Sequence, residues 1–591
     1  MQKYLKIIFL FISVYAQAQK PFHLQINVIG KDADFVRKNI SYPGFINDSL
    51  NISHQLNAVL LQCNTISFLQ AQFDSLSCVN DTCNVKLYPG KSYHWVALRK
   101  GNVPLDILSA AGFREEQFYN KIFDPSQFAK RAERILTTLE NSGYPFASIR
   151  LDSMIADSNG ISASINLNKG NLTYFDSIDM RGNVILKKWY LEKYLGIKKG
   201  NPYNETLIKN ADSRLSQLPF LKTNRTSAIY FFGDKARPIL FLDNRKASSV
   251  DGIVGFAPNS QLNNQVMVTG EANLKLQNIL GSGKGIDLNY RSFGISSQDL
   301  KFKFQWPYIL HTNLTLDYQL ALLKYDTLFL DVTNEFDLQY NFIGTDYFKV
   351  FYSIQTTSLI SVDTNQIIST RTLPQNSDIR YDQYGIGFRK SKYDYFLNPR
   401  KGYSIEFSAG VGTKKIIENS TIKSLVLYDN SGKPYSIYDS IKLEYVQYKL
   451  SLNADYFLPL ASRVAFHTQL NGAHIEAQNI FFNELYRIGG IRTLKGFDEQ
   501  SIFASTYLII NTELRYLLQQ NSNFILFWNG AWYRNVVSSP VITDKPYGFG
   551  AGLNFETGAG IFSVFYAVGS QFNSPIEFNQ AKIHFGFVNY F

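Results

Sequence analysis

The sequence predicts tandem α+β modules followed by a 16-stranded antiparallel transmembrane β-barrel. Helical and strand periods alternate through residues 21–243, whereas segments of about ten residues alternate apolar and polar side chains from 245 to 591. Aromatic residues make up 15% of the chain, which suits the girdles of a membrane barrel. Beyond the N-terminus no apolar run reaches the ~18 residues of a helical span, so a multi-span helical protein is excluded.

The first 18 residues have the pattern of an export signal. Lys3 and Lys6 precede an apolar stretch at residues 7–15, and Ala16-Gln17-Ala18 forms a cleavage site of the A-x-A type. We therefore expect residues 1–18 to be a signal peptide and the protein to leave the cytoplasm.

Export makes disulfides possible, and the three cysteines all fall in the first module. Cys78 and Cys83 flank a turn between two strands, so we expect their thiols to meet across a hairpin. Cys63 lies on the apolar face of a helix, where a buried free thiol is the simpler interpretation. Three cysteines without histidine partners are a poor metal site.

A unit of strand, helical stretches and two strands recurs with a period of small-domain size, which predicts three tandem modules. Their expected boundaries are residues 21–92, 93–172 and 173–243. In the middle unit, Asp124-Pro125 has the pattern of a helix start. In the third unit, one apolar helix stripe is predicted at Tyr203, Leu207, Ala211, Leu215 and Leu218.

The barrel prediction for residues 245–591 depends on alternation and on the lengths of the connections. In the segment 506–516, Leu508 and Ile510 face one way and Glu513 the other. Sixteen such segments are joined by alternately short and long connections, as expected of an outer-membrane barrel. The long ones include 360–377, 414–440 and 476–503. Phe591 ends an apolar stripe, as in the C-terminal strands of bacterial outer-membrane proteins, whereas a soluble all-β protein would not usually end in this way.

Charge and motif content exclude two other classes. The net charge is +11, but Lys and Arg are scattered rather than clustered, so nucleic-acid binding is not expected. No nucleophile elbow, paired catalytic carboxylates or metal-ligand spacing is present, so we expect no enzyme, no cofactor and no metal.

One long connection carries the informative motif, at residues 485–497. Its residues Gly489-Gly490 through Lys495-Gly496-Phe497 resemble the G-G-x-x-x-V-R-G-F/Y signature of the outer-membrane protein insertase superfamily, which includes BamA, TamA and two-partner secretion transporters. The candidate motif residues are Gly489, Gly490, Arg492, Leu494, Lys495, Gly496 and Phe497.

Other segments carry the same resemblance across essentially the whole mature chain. Residues 270–281 look like the family's second strand and turn, and Asn398-Pro399-Arg400-Lys401-Gly402 looks like its N-P-R-x-G turn. The three modules are similar to POTRA (polypeptide-transport-associated) domains. Three modules and 16 strands resemble TamA in size more than BamA.

The resemblance implies that this loop folds back into the barrel and that the motif cation meets acidic wall residues. In this sequence Lys495 occupies the position of the motif arginine, and Asn529 occupies a wall position that is usually acidic. The second acidic wall position is retained as Glu513. We expect the Lys495 ammonium to pair with Glu513 and Asn529 to accept a neutral hydrogen bond, so that removing Lys495 would strand Glu513. Two alternatives remain: Lys495 is solvated in a mobile loop, or Arg492 takes the role.

The resemblance implies an assembly factor in the bacterial outer membrane, with its POTRA modules in the periplasm. The modules would capture unfolded outer-membrane proteins by adding a strand to a sheet edge. The barrel would insert them into outer-membrane lipid through a weak lateral seam, and accessory lipoproteins or an inner-membrane-anchored partner are further candidate partners. The candidate seam residues are Gly252, Gly255, Gly586 and Phe591, and we expect few hydrogen bonds there.

Two alternatives belong to other functional classes. A two-partner-type secretion pore usually carries two modules and an N-terminal plug helix, whereas a strand at His23 follows the signal here. An inactive structural or adhesin-like barrel would share the fold without the activity.

Overall fold

The computed structural model describes the chain in eight stretches: residues 22–46, 49–79, 81–157, 160–259, 265–293, 296–395, 398–429 and 431–590. Of residues 49, 50, 255–259 and 265–269 it describes the backbone alone. The expected signal peptide, residues 1–18, and the seam residue Phe591 lie outside the described residues.

The first sheet has the order β2-β1-β4-β3, in which β1 and β4 are parallel. Its elements are β1 (Phe22–Val28), α1 (Ala33–Asn39), β2 (Phe45–Ile46), α2 (Ser49–Thr65), β3 (Gln72–Val79) and β4 (Thr82–Tyr88). Helix α2 contributes Ile52, Val59 and Cys63 to the core, because residues seven and eleven positions apart share a helix face. Cys78 and Cys83 are bonded to each other across the β3–β4 hairpin.

The second sheet repeats this arrangement, with the order β6-β5-β8-β7. Its elements are β5 (His94–Arg99), α3 (Leu105–Ala111), β6 (Lys121–Ile122), α4 (Pro125–Glu140), β7 (Ser148–Asp157) and β8 (Gly160–Asn168). Asp124 caps α4 by accepting a hydrogen bond from the Ser126 N–H at 2.8 Å, and Pro125 occupies the first helical position. Ile135 and Leu139 of α4 are buried against the sheet.

The third sheet is built around its last strand, which pairs with β10 in parallel and with β11 and β12 antiparallel. Its elements are β9 (Tyr174–Phe175), β10 (Asp179–Arg181), α5 (Lys188–Leu195), α6 (Glu205–Lys209), α7 (Ala211–Leu215), β11 (Leu221–Thr223), β12 (Ala228–Phe232) and β13 (Lys235–Asn244). The single helix predicted here is two short ones. Asn210 separates them, and its side-chain amide donates to the Thr206 carbonyl at 2.8 Å in competition with the helix backbone.

Residues up to 174 with 202–205 form one compact unit, and residues 175–201 with 206–591 form another, so the third sheet and the barrel belong together. The Lys187 N–H donates to the Gly281 carbonyl and the Gly344 N–H donates to the Tyr194 carbonyl, both at 2.8 Å. The Tyr190 ring packs edge-on against Tyr308. No helix in the described part of the chain has the length and hydropathy of a membrane span.

Sixteen antiparallel strands close the barrel in chain order. They are β14 (Ser249–Asn259), β15 (Gln265–Ile279), β16 (Lys284–Ser292), β17 (Gln298–Trp306), β18 (Leu314–Tyr325), β19 (Phe329–Asn341), β20 (Tyr347–Leu359), β21 (Ile379–Tyr393), β22 (Gly402–Ile416), β25 (Glu444–Ala461), β26 (Val464–Ala477), β29 (Thr506–Leu517), β30 (Asn523–Asn535), β31 (Ile542–Asp544) with β32 (Tyr547–Thr557), β33 (Gly560–Ser570) and β34 (Lys582–Tyr590). Segments β31 and β32 count as one strand, since both pair with β30.

Alternation along each strand separates an outer apolar face from an inner polar one. On β29, Leu508 and Ile510 are exposed on the outside of the barrel, whereas Asn511 and Glu513 are buried inside. The wall therefore presents apolar side chains to lipid and carboxylates and amides to the barrel interior.

The first and last strands, β14 and β34, pair with each other and close the barrel. They align over eight residue pairs, from Ser249 with Tyr590 to Phe256 with Ile583, whereas β14 and β15 align over eleven and β33 and β34 over seven. The expected shortage of hydrogen bonds at the seam stays a prediction. In a bilayer an unpaired strand edge would leave its N–H and C=O groups without partners, so closure requires this pairing.

The long loops between β20 and β21, between β22 and β25, and after β26 share one hydrophobic core, which we call the loop cap. It includes α8 (Thr364–Thr370), β23 (Leu427–Tyr428), α9 (Ser420–Lys423) and β24 (Pro434–Tyr435). Ile367, Ile422 and Phe481 are buried in it. Lys414, on the inner face of β22, pairs with Glu484 at 2.8 Å, and both side chains are fully buried.

Cys63 should react with alkylating reagents only after unfolding. Its side chain is buried, and burial raises the pKa of its thiol to about 11, so the nucleophilic thiolate is scarce near neutral pH. Mass mapping without reductant should find one alkylated cysteine in the urea-unfolded protein and none after brief treatment of the native protein. Rapid alkylation of the native protein at Cys63 would contradict its placement in the core.

Candidate functional site

The loop between β26 and β29, residues 478–505, is called the lumen loop here. A short hairpin of β27 (Tyr486–Ile488) and β28 (Ile502–Ala504) closes its base. Five of its buried apolar side chains pack against Ile509 and Tyr533 on the inner wall formed by β29 and β30: Ile488, Leu494, Phe497, Ile502 and Ala504. The motif residues Leu494 and Phe497 therefore fix the loop to the wall by hydrophobic contact.

The Lys495 ammonium lies 3.3 Å from Glu513 Oε1, within ion-pair distance, and both side chains are largely buried. Glu513 has two further partners, because Arg515 contacts its Oε2 at 2.6 Å and His467 Nδ1 lies 3.2 Å from the same oxygen. The expectation that removing Lys495 strands Glu513 is therefore wrong. The sequence pattern places Arg515 and Glu513 two positions apart on one strand face, which is the signal that could have revealed this pair.

Asn529 binds the backbone of Lys495, not its ammonium. Its Oδ1 accepts a hydrogen bond from the Lys495 N–H at 3.1 Å, and its Nδ2 donates to the Lys495 carbonyl at 3.1 Å. The side chain thus pairs with both polar groups of one peptide residue. An amide can both donate and accept in this way, whereas a carboxylate could only accept.

Arg492 reaches a different part of the wall. Its guanidinium pairs with Glu271 on β15 through two contacts, with Nε 3.1 Å from Oε2. Glu271 is only 7% exposed, and its remaining partners are the amides of Asn273 at 3.0 Å and Asn289 at 2.7 Å. The two cations are therefore not rivals for one role, because Lys495 and Arg492 bind separate carboxylates.

Two further acidic residues of the loop were not singled out from the sequence. Asp498 pairs with Lys582 on β34 at 2.7 Å, and Glu499 lies 3.4 Å from Arg291 on β16. The lumen loop is thus tied to β15 and β16 on one side of the seam and to β34 on the other. Charged residues at inward positions of these strands are the signal for such contacts, but the sequence does not show which charges meet.

Glycines bring the loop and the wall into backbone contact. Gly490 and Gly496 have φ values of 93° and 96°, in the left-handed region that disfavours other residues. A Cβ at Gly548 on β32 would overlap the Lys495 carbonyl oxygen, and one at Gly569 on β33 would crowd the Phe497 ring. Gly489 also has a positive φ, and a Cβ there would overlap the Asp498 carbonyl.

The candidate seam residues are distributed over both faces of the wall. Gly252 lies opposite Phe587, Gly255 opposite His584, and Gly586 opposite Ile253. No group of three or more His, Cys, Asp or Glu side chains that could hold a metal occurs within the described stretches.

An inward-folded loop held by ion pairs, in a 16-stranded barrel preceded by α+β modules, is the architecture of an outer-membrane β-barrel with appended modules. The model described as "Omp85 superfamily domain" matches residues 278–591, more than half of the chain. The chain belongs to the Omp85 superfamily. No curated protein matches it.

Two solved structures show the same fold at low sequence identity. CdiB from Escherichia coli is 14% identical with a TM-score of 0.53, and CdiB from Acinetobacter baumannii is 13% identical with a TM-score of 0.52. Each match covers 85% of this chain and 90% of the other. BamA from Haemophilus ducreyi lacking POTRA domains 1–3 is 16% identical over 83% of this chain and 100% of that chain, with a TM-score of 0.41.

Replacing Arg492 should destabilise the barrel more than replacing Lys495. Arg492→Ala leaves the buried Glu271 carboxylate with amide partners alone, whereas Lys495→Ala leaves Glu513 with Arg515 and His467. Because the Arg492 side chain is 53% exposed, we expect a loss of about 1–2 kcal/mol in the free energy of unfolding, and less for Lys495→Ala. Urea unfolding of both variants in detergent micelles measures the difference; an equal or reversed order would contradict it.

A methyl group at position 548 should displace the lumen loop. In Gly548→Ala the new Cβ meets the Lys495 carbonyl oxygen and the Asn529 amide, so the docked loop has to move. Limited trypsin digestion of the folded barrel should then cleave after Arg492 or Lys495 faster than in the unaltered protein. Gly558→Ala is the matched control, since a Cβ there meets nothing within 4 Å and cleavage should not change.

Proposed function

We propose that this protein is an assembly factor that captures unfolded outer-membrane proteins with its POTRA-like modules and folds them into the membrane through the β14–β34 seam. We assign modules to residues 21–92, 93–172 and 173–243, placed in the periplasm, and the barrel to 245–591. The observation that carries the proposal is a pair of open sheet edges in the first two modules. β3 and β7 each end a sheet, so in the described part of the chain one side of each strand has no neighbouring strand.

The β7 edge is suited to an incoming extended chain. Met154 and Ile155 are exposed on it, and a bulge interrupts its pairing with β8 between Asp152 and Ile155. A partner strand can pair with the free backbone groups and cover these apolar side chains, which requires little sequence preference. Clients with many different strand sequences could then be bound by one edge.

The loop cap and the lumen loop favour this proposal over a secretion pore. The long loops share a buried core, and the fully buried Lys414–Glu484 pair joins the wall to the start of the lumen loop. A polypeptide passing through the lumen would have to break this pair and its core. Lateral passage at the seam leaves that pair and core intact, although it has to separate the eight residue pairs between β14 and β34 and the lumen-loop contacts that bridge the two sides.

Locking the seam tests this mechanism. Val254 and Phe585 lie directly opposite each other on β14 and β34, and Val564 lies opposite the same Phe585 on β33. An oxidised Val254→Cys/Phe585→Cys pair should abolish assembly of client barrels in proteoliposomes, and reduction should restore it. The Val564→Cys/Phe585→Cys pair joins strands that need not part, so it should remain active when oxidised. Normal activity of the locked seam would overturn lateral opening.

Two measurements separate the proposed function from its alternatives. Depletion in the native bacterium followed by an outer-membrane proteome should show loss of many barrel proteins if the protein is an assembly factor. Loss of one secreted polypeptide, together with large stable conductance in planar bilayers, would instead identify a two-partner-type pore. An unchanged proteome with low conductance would leave an inactive structural or adhesin-like barrel.

A further inference from the structure

A cavity of about 160 Å³ lies where the third module meets the barrel turns. Arg214 of α7 lines one wall, and Asp346, Lys390, Lys392 and Tyr403 line the other. Hydrogen bonds hold the two walls together: Ser216 Oγ donates to the Asp394 carbonyl at 3.1 Å, and Thr345 Oγ1 donates to Gln217 Oε1 at 3.2 Å. The cavity is therefore formed by contacts within one compact unit.

The charged side chains of this cavity are mostly cationic. Arg214, Lys390 and Lys392 face a single carboxylate, Asp346, whose Oδ1 accepts a hydrogen bond from the Ser391 N–H at 2.8 Å. Among the described residues, neither lysine has a carboxylate within ion-pair distance. Two lysine ammonium groups thus remain available to an anion.

The two lysines also lie at the edge of the lipid-facing surface. They occupy alternate positions on the outer face of β21, and the same face continues with Phe388 and Ile386, which are exposed. Phe388 packs against Phe407 on β22, as expected of an aromatic girdle at the membrane interface. Long lysine side chains at this level can place their ammonium groups among lipid headgroups.

We propose that this cavity binds the phosphate of an anionic phospholipid, whose acyl chains lie along the apolar wall below it. The cations supply the charge complementarity that a headgroup phosphate needs, and the adjacent Phe388 surface supplies the apolar contact that a free phosphate would not use. The bound lipid would contact both α7 and β21, so it would bridge the third module and the barrel. This site is independent of the client-handling function proposed above.

Lipid retention measured by native mass spectrometry tests the site. The full-length protein is delipidated in detergent and supplied with phosphatidylglycerol or phosphatidylethanolamine. We expect preferential retention of one phosphatidylglycerol, reduced about 25-fold in Lys390→Gln/Lys392→Gln, since each lysine near an anionic headgroup contributes about one factor of five. The control Lys324→Gln/Lys415→Gln removes two outer-face lysines from the end of the barrel that lies away from the cavity. This variant should retain the lipid as the unaltered protein does.

Three results would overturn the proposal. The first is equal retention of the two lipids by the unaltered protein, and the second is equal loss of phosphatidylglycerol in the double variant and its control. The third is displacement of phosphatidylglycerol by millimolar inorganic phosphate at constant ionic strength, which would identify a site for free anions. Retention of the lipid under that competition, with loss only in Lys390→Gln/Lys392→Gln, would support it.

Discussion

The structure depends on one constraint: a barrel in lipid must leave no strand edge without a hydrogen-bonding neighbour. Closure by β14 and β34 meets it with eight residue pairs, between the seven of β33 with β34 and the eleven of β14 with β15. A seam that opens therefore has to replace these bonds as it loses them. An incoming strand can do so, because it supplies the same N–H and C=O groups to the same edges. In the proposed function, pairing at the seam and lateral insertion would therefore use the same backbone hydrogen bonds.

The lumen loop is connected to both sides of this closure. Arg492 contacts Glu271 on β15, and Asp498 contacts Lys582 on β34, so one segment bridges the strands that flank the seam. Lys495 joins the same loop to Glu513 on β29. In the barrel order, β29 is separated from the seam by β30 to β34. Opening the seam and keeping the loop docked are therefore coupled, because separating β15 from β34 stretches the same loop.

The contacts around Lys495 suit a lysine at the position where the family motif has an arginine. A lysine offers one compact charge, and a single oxygen of Glu513 receives it at 3.3 Å. The other oxygen is held by Arg515, so the carboxylate does not depend on a bidentate partner. Asn529 then serves the Lys495 peptide groups, which an acidic residue could satisfy only in part. The loop is held by its backbone as much as by its charge.

The sequence by itself determined the recurring α+β units and the strand count, because these follow from local periodicity and turn residues, and the resemblance of a contiguous motif to a known family indicated which loop folds inward. It also placed Glu513 and Asn529 on the inner face, since strand alternation fixes direction. Tertiary structure decided which charges meet. Glu271 and Arg492 are 221 residues apart, and only barrel closure brings β15 beside the lumen loop. It likewise decided that Asn529 binds the backbone of Lys495, since alternation gives the face of a residue but not its partner across the lumen.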